Sequence, residues 1–125
     1  MRITYNKNEK HRQNKNIIEE NPVVAATVMD KVKPNAIAVA CAKVVGDKII
    51  ITDNFMNQTV KDLRKNNRVC LLVWNKKWQG YKIIGRAEYH QSGKWKKFVE
   101  NMKENKGLPA KGAILVNIEK TIKLA

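Results

Sequence analysis

One serine, two cysteines and two histidines are all that this 125-residue chain offers toward the common nucleophiles and metal ligands. Ser92 stands outside any Gly-x-Ser-x-Gly elbow, which excludes a serine hydrolase of that type. His11 and His90 have no partner at ligand spacing and Cys41 and Cys70 form no Cys-x-x-Cys pair, so no zinc or other metal site is expected. The six glycines build neither Gly-x-Gly-x-x-Gly nor the phosphate-loop lysine motif, which removes Rossmann and P-loop nucleotide chemistry. No apolar run approaches the roughly 20 residues of a membrane-spanning helix, and the longest runs, such as Val69 to Trp74, are strand-sized. Residues 1–21 are basic and asparagine-rich with no apolar signal core. The expectation is a cytoplasmic protein with no membrane partner, whose cysteines are reduced and sit in the core.

What is present is enough for one folded domain. The chain is 43% hydrophobic with three Trp, three Tyr and two Phe, too apolar for disorder, and its length suits a single core. Lysine and arginine exceed aspartate and glutamate by 25 to 11, a net charge of +14. Such an excess raises nucleic acid or an acidic surface as a partner. The basic residues are dispersed, however, over the N-terminal tail (Lys7, Lys10, Arg12), the centre (Lys61, Arg64, Lys65, Arg68) and a late segment (Lys94, Lys96, Lys97, Lys103, Lys106). Dispersed charge solvates a surface more often than it forms a binding stripe, and nucleic acid is not the expected partner.

Residues 8–20 can form a helix that stops before Asn21-Pro22, because proline disfavours helix in the residue before it. The expected division is a basic arm and helix over 1–21 and one domain over 22–125. From Pro22 the texture is β: Val23 to Met29, then Ala36 to Val45, then a Gly46-Asp47 hairpin signal and Lys48 to Asp53. Met56, Val60 and Leu63 mark a short amphipathic helix closed by Asn66-Asn67. Strands are expected over Arg68 to Trp74 and Trp78 to His90, with Gly85 marking a bend or a close backbone approach. Ser92 is placed as N-cap of a helix from Gly93 to Lys106, and Ala113 to Leu124 supplies the last strand. Six antiparallel strands joined by short turns, with two or three helices, make a mainly β protein of Greek-key barrel type.

One segment stands out chemically. Thr52 to Thr59 is a strand end that runs straight into a helix, and the first N–H groups of a helix lack internal partners while its dipole favours negative charge. The segment is therefore a seat for an anion such as phosphate, with Gln58 and Thr59 as side-chain donors. Equally open on local grounds is that Asp53 or Asn54 caps the helix and Asn57, Gln58 and Thr59 face solvent.

The order of several pieces carries a resemblance. Ala26-Thr27-Val28, Lys33-Pro34-Asn35, Ala42 to Val45, Lys48 to Asn54, Met56-Asn57-Gln58-Thr59, Asn66 to Val69, Val73-Trp74 and Gly80-Tyr81 to Gly85-Arg86-Ala87 follow one another in a way that resembles the pyridoxamine 5'-phosphate oxidase-like, FMN-binding split-barrel family. The resemblance runs from about residue 22 to the C-terminus. It implies a six-stranded split barrel, a homodimer with FMN at the subunit interface, and a cofactor site made by Ala38, Val39 and Ala40 beside the flavin with Asp53, Asn54, Met56, Asn57, Gln58 and Thr59 around the phosphate.

Two departures from the family pattern matter. Many relatives carry a lysine where this chain has Gln58, which removes one charge-assisted hydrogen bond to phosphate, and Lys61, Arg64, Arg68 and Arg86 are the candidate replacements. The family's oxidases use further basic and polar residues in a longer C-terminal region, whereas this chain stops at Ala125, so pyridoxamine-phosphate oxidation is not the expected reaction. The resemblance implies instead a small redox flavoprotein, serving electron transfer or the oxidation or reduction of a small molecule, with FMN carrying the chemistry. The alternatives are the same barrel holding haem, a deazaflavin or another nucleotide, and a basic nucleic-acid binder.

Overall fold

Strict alternation of side chains builds the barrel wall. In Val23–Val28 (β2) Val23, Ala25 and Thr27 are buried, and in Arg68–Trp74 (β6) Val69, Leu71 and Val73 are buried, while the residues between them face the other side. The computed structural model describes residues 2–3, 15–28, 33–39 and 41–124. Around β2 and β6 stand β1 (Arg2–Ile3), β3 (Pro34–Val39), β4 (Ala42–Val45), β5 (Lys48–Asp53), β7 (Gly80–His90) and β8 (Gly112–Lys123). The helices are α1 (residues 15–20), α2 (Gln58–Lys65) and α3 (Gly93–Glu100), with a single 3₁₀ turn at Lys103–Asn105.

All pairings are antiparallel, and the sheet runs β3-β2-β6-β7-β8-β5-β4 with β1 added alongside β8. The path curls but its two ends, β3 and β4, do not pair with each other among the described residues. The result is the split barrel that the sequence predicts. Its inner core joins Val23, Ile49, Ile51, Leu71, Val73, Ile83 and Val116 with Leu63 from α2 and Ile18 from α1. A second apolar cluster lies outside the barrel, where α3 sets Val99, with Met102 just beyond it, against Ile50, Ala113 and Leu115 of β5 and β8.

Eight strands stand among the described residues rather than six, because Arg2–Ile3 adds one and an expected strand is divided. The run Ala36 to Val45 is two strands, because Val39 pairs with Val23 of β2 while Ala42 pairs with Ile51 of β5, so the chain crosses the split between them. The expected Gly46 hairpin joins β4 to β5, with φ +61° at Gly46. Strand β7 begins at Gly80 rather than Trp78. Asn75 organises the preceding turn, its Oδ1 accepting the N–H groups of Lys77 at 2.9 Å and Gln79 at 3.1 Å. That turn holds Trp78 at φ +63°, 74% exposed, with its ring parallel to that of Trp74.

Gly85 is a point of close approach, as expected. The β7/β8 register jumps there from Ile84↔Lys120 to Gly85↔Ile118, and a Cβ at 85 would lie 2.3 Å from the carbonyl oxygen of Asn117. Ser92 is the N-cap of α3, but its side chain makes no capping hydrogen bond. The helix also ends at Glu100 instead of running to Lys106. The amide of Asn105 donates at 2.8 Å to Val99 O, a carbonyl at the end of α3 that a longer helix would have used internally.

Candidate functional site

A cleft of about 410 Å³ opens where the barrel is split. One wall is the β3 end, Ile37, Ala38 and Val39, with Cys41 beyond it; the other is the strand-to-helix junction from Asn54 to Thr59; Glu104, Asn105 and Leu108 close the third side. Of the residues singled out from sequence, Ala38, Val39, Asn54, Met56, Asn57, Gln58 and Thr59 all line it. Ala40 lies outside the described residues. Phe55 stands 76% exposed among the lining residues, and the size and largely apolar lining suit a small organic ligand.

The structure decides between the two local readings of the junction in one respect. α2 starts at Gln58 with Asn57 as N-cap, and no side chain caps it; nor is there an acid in its first turn. Among the described residues its leading N–H groups meet no side-chain acceptor at the rim of the cleft, which leaves them available to an anion. Asp53 and Asn54 do not cap the helix. Asp53 is 1% exposed, does not line the cleft and braces the junction from behind: Oδ1 accepts the Met56 N–H at 2.9 Å, and Oδ2 accepts the Tyr89 hydroxyl at 2.5 Å. Asn54 ties the junction to the third side, its Oδ1 accepting the Ala110 N–H at 2.8 Å and its Nδ2 donating to Asn105 Oδ1 at 3.3 Å.

Behind Gln58 and Thr59 lies a polar chain that the sequence pattern did not reveal. Asp62, 1% exposed, accepts from Gln58 Nε2 at 2.8 Å and from the Thr27 hydroxyl at 2.9 Å. Asn35 Nδ2 donates to Thr27 Oγ1 at 3.2 Å and to Thr59 Oγ1 at 2.9 Å. The signal for it was an acid beside Leu63 on the apolar side of a short amphipathic helix, whose buried residues are Thr59, Val60, Asp62 and Leu63.

The cations around the cleft are not those the sequence suggested. Lys61, Arg64, Arg68 and Arg86 are exposed and none lines it; Arg64 lies over the Tyr89 ring and Arg86 meets Glu119 and Asn67. Lys111 comes closer, donating to Met56 O at 3.1 Å and standing 3.7 Å from Asp53 Oδ1. On the far side Lys43 pairs with Glu104 at 2.5 Å, an ion pair that lowers the Glu104 carboxyl and raises the Lys43 ammonium. Cys41 is half-buried in the cleft wall rather than sealed in the core, and burial followed by the Glu104 charge pushes its thiol up, which makes it a poor nucleophile. Cys70, also half-buried, is raised by burial. Among the described residues no group of three His, Cys, Asp or Glu could hold a metal ion, and no helix is long and apolar enough to cross a membrane.

The family model for pyridoxamine 5'-phosphate oxidase matches residues 8–125. The chain belongs to that family. An uncharacterized protein of Methanocaldococcus jannaschii is 33% identical over 106 residues, covering 81% of this chain and 71% of the relative. Among solved structures, HupZ of Group A Streptococcus superposes with a TM-score of 0.81 at 21% identity, over 90% of this chain and 92% of HupZ. An FMN-binding protein from Syntrophomonas wolfei superposes with a TM-score of 0.78 at 18% identity, over 95% of this chain and 88% of the other. These two likenesses establish the split-barrel fold of the pyridoxamine 5'-phosphate oxidase family, in which the cleft between β3 and α2 is the site to explain.

Proposed function

We propose that the chain is a small redox flavoprotein that binds FMN in the cleft at the barrel split. The observation that carries this reading is the uncapped start of α2, opening onto a cleft whose opposite wall is apolar. Such a site suits a ligand with an anionic end and a flat apolar body. Asn57, Gln58 and Thr59 would hold the phosphate, and Ala38 and Val39 would bed the ring; small side chains leave room beside the strand. A bound FMN supplies one- and two-electron redox chemistry, serving electron transfer or the turnover of a small molecule. The protein's part is to bind, orient and shield it. Membership of the family and the FMN-binding protein among its structural neighbours support the choice of anion.

The same reading includes a homodimer. The outward face of β2, β6 and β7 presents Val24, Ala26, Cys70, Leu72 and Ile84, side by side in register and only half-buried, with Lys82 as the cation among them opposite Leu72. A sheet face this apolar suits burial against a second copy.

The test is the absorbance spectrum of the purified protein and the quenching of FMN fluorescence on titration. Saturable quenching is expected, with riboflavin weaker because it lacks the phosphate. Gln58→Lys should tighten FMN about fivefold, the gain from replacing a neutral donor by a charged one. Absence of both flavin absorbance and quenching would sink the FMN assignment, and saturation by haem or a deazaflavin in its place would reassign the cleft.

A further inference from the structure

The polar chain behind the cleft has a direction, and its direction is set at Asp62. A carboxylate only accepts hydrogen bonds, so the single proton of the Thr27 hydroxyl is committed to Asp62 Oδ2, 2.9 Å away. Thr27 Oγ1 can then meet Asn35 only as an acceptor, which forces the Asn35 side chain to present its NH₂ rather than its oxygen. The second hydrogen of that NH₂ goes to Thr59 Oγ1 at 2.9 Å. Thr59 is therefore an acceptor on its protein side. Its own proton is donated to no group among the described residues, although the residue is only 3% exposed and lines the cleft. The same carboxylate takes Gln58 Nε2 at 2.8 Å and fixes that amide's orientation as well.

We propose that Asp62 is a positioning residue which, through Thr27 and Asn35, fixes the Thr59 hydroxyl as a hydrogen-bond donor to an anionic group in the cleft. This rests on the flavin reading for the identity of the ligand, where the anionic group is the phosphate. Preorientation matters because a free hydroxyl rotates and spends part of its time as an acceptor, which an anion cannot use. A chain of hydrogen bonds pointing one way presents the proton before the ligand arrives. The arrangement also sets a specificity: the phosphate-bearing flavin gains from it and the phosphate-free one does not. Asp62 carries a negative charge of its own behind the helix start, so its direct Coulomb effect on the anion is repulsive. The two effects have opposite signs, which makes them separable.

The experiment measures FMN and riboflavin affinity by fluorescence quenching in the wild type, Asp62→Asn, Thr59→Val and the double variant. Asp62→Asn should weaken FMN about tenfold and leave riboflavin within twofold, since the loss is of one oriented donor to a charged acceptor. Thr59→Val should do the same, and the double variant should lose clearly less than the two single losses together, because Asp62 acts mainly through Thr59 and otherwise through Gln58. An unchanged or higher FMN affinity in Asp62→Asn, equal losses for the two flavins, or full additivity in the double variant would each overturn the proposal. Should Asp62→Asn fail to fold, Thr27→Val, which breaks the same chain and keeps the carboxylate, must show the same phosphate-selective loss. If the wild type binds neither flavin, the flavin reading fails and inorganic phosphate decides the rest by thermal shift. Stabilisation of the wild type that disappears in Asp62→Asn upholds the donor assignment, and no stabilisation of the wild type removes it.

Discussion

Replacing Asp53 with alanine separates bracing the site from touching its ligand. The carboxylate is 1% exposed and takes two hydrogen bonds, from the Met56 N–H at 2.9 Å and the Tyr89 hydroxyl at 2.5 Å. Hydrogen bonds to a charged group contribute about 1.5–3 kcal/mol each, so losing both costs about 3–6 kcal/mol. Lys111, 3.7 Å from Oδ1 and 48% exposed, adds no more than about 1 kcal/mol, because a half-exposed pair is screened. Against the total of about 5–15 kcal/mol usual for a domain, Asp53→Ala should be among the most damaging single changes outside the apolar core. Urea unfolding followed by tryptophan fluorescence reads the loss directly, with Tyr89→Phe as the comparison that removes one bond and should cost about half as much. A cost below about 1 kcal/mol for Asp53→Ala, together with complete loss of flavin binding, would refute the bracing role and return Asp53 to the ligand.

Two further outcomes follow from the packing. Gly85→Ala should destabilise by about 2–4 kcal/mol in urea unfolding, because its Cβ would lie 2.3 Å from Asn117 O and β7 and β8 would have to part at the bulge; a cost within 0.5 kcal/mol of zero would show that the bulge yields freely, a threshold of roughly the usual surface-substitution spread. Burial, then the hydrogen bond to Asp53 and its charge, raise the Tyr89 hydroxyl from 10.0 to about 12, with Arg64 opposing. The folded state thus holds this proton more tightly than the unfolded one, so the contribution is complete below pH 10 and is lost as pH rises from 10 toward 12. Two pKa units set a ceiling of about 2.7 kcal/mol, reduced to about 1 kcal/mol for a half-buried group; the difference in unfolding free energy between wild type and Tyr89→Phe should shrink by that much between pH 9 and pH 12, values chosen roughly to bracket the titration.

How far the chain could be read depended on whether a feature is local. Runs of apolar and β-branched residues placed β2, β5 and β6, and the Gly46 turn and the Asn66-Asn67 helix end declare themselves within a few residues. The strand-to-helix junction was legible for the same reason, since a change of period at Asp53 marks it. The division of Ala36 to Val45 was not, because both halves are equally apolar and only their partners, β2 and β5, differ. Trp78 is expected to open the strand after the turn at Asn75, but the hydrogen bonds of Asn75 hold it in the turn itself. Asn105, which bonds Val99 O at the end of α3 and lines the cleft, acts through the folded chain and leaves no mark in its own neighbourhood. Asp53 and Asn54 stand at the junction where the pattern put them, yet neither caps the helix, since their oxygens are spent on Met56, Tyr89 and Ala110.

The open end of the sheet has an evolutionary consequence. β3 pairs with β2 and with no other strand among the described residues, so one row of its peptide N–H and C=O groups is free along the stretch that lines the cleft at Ile37, Ala38 and Val39. That edge offers a ligand main-chain hydrogen bonds as well as side-chain contacts, and every amino acid supplies the main chain alike. Side chains on that wall can then drift without erasing the ability to hold a flat molecule, provided that they stay small. Discrimination between ligands then falls to the side chains on the other sides of the cleft, Gln58, Thr59 and Glu104 among them. A barrel built this way can change what it binds while its sheet stays as it is.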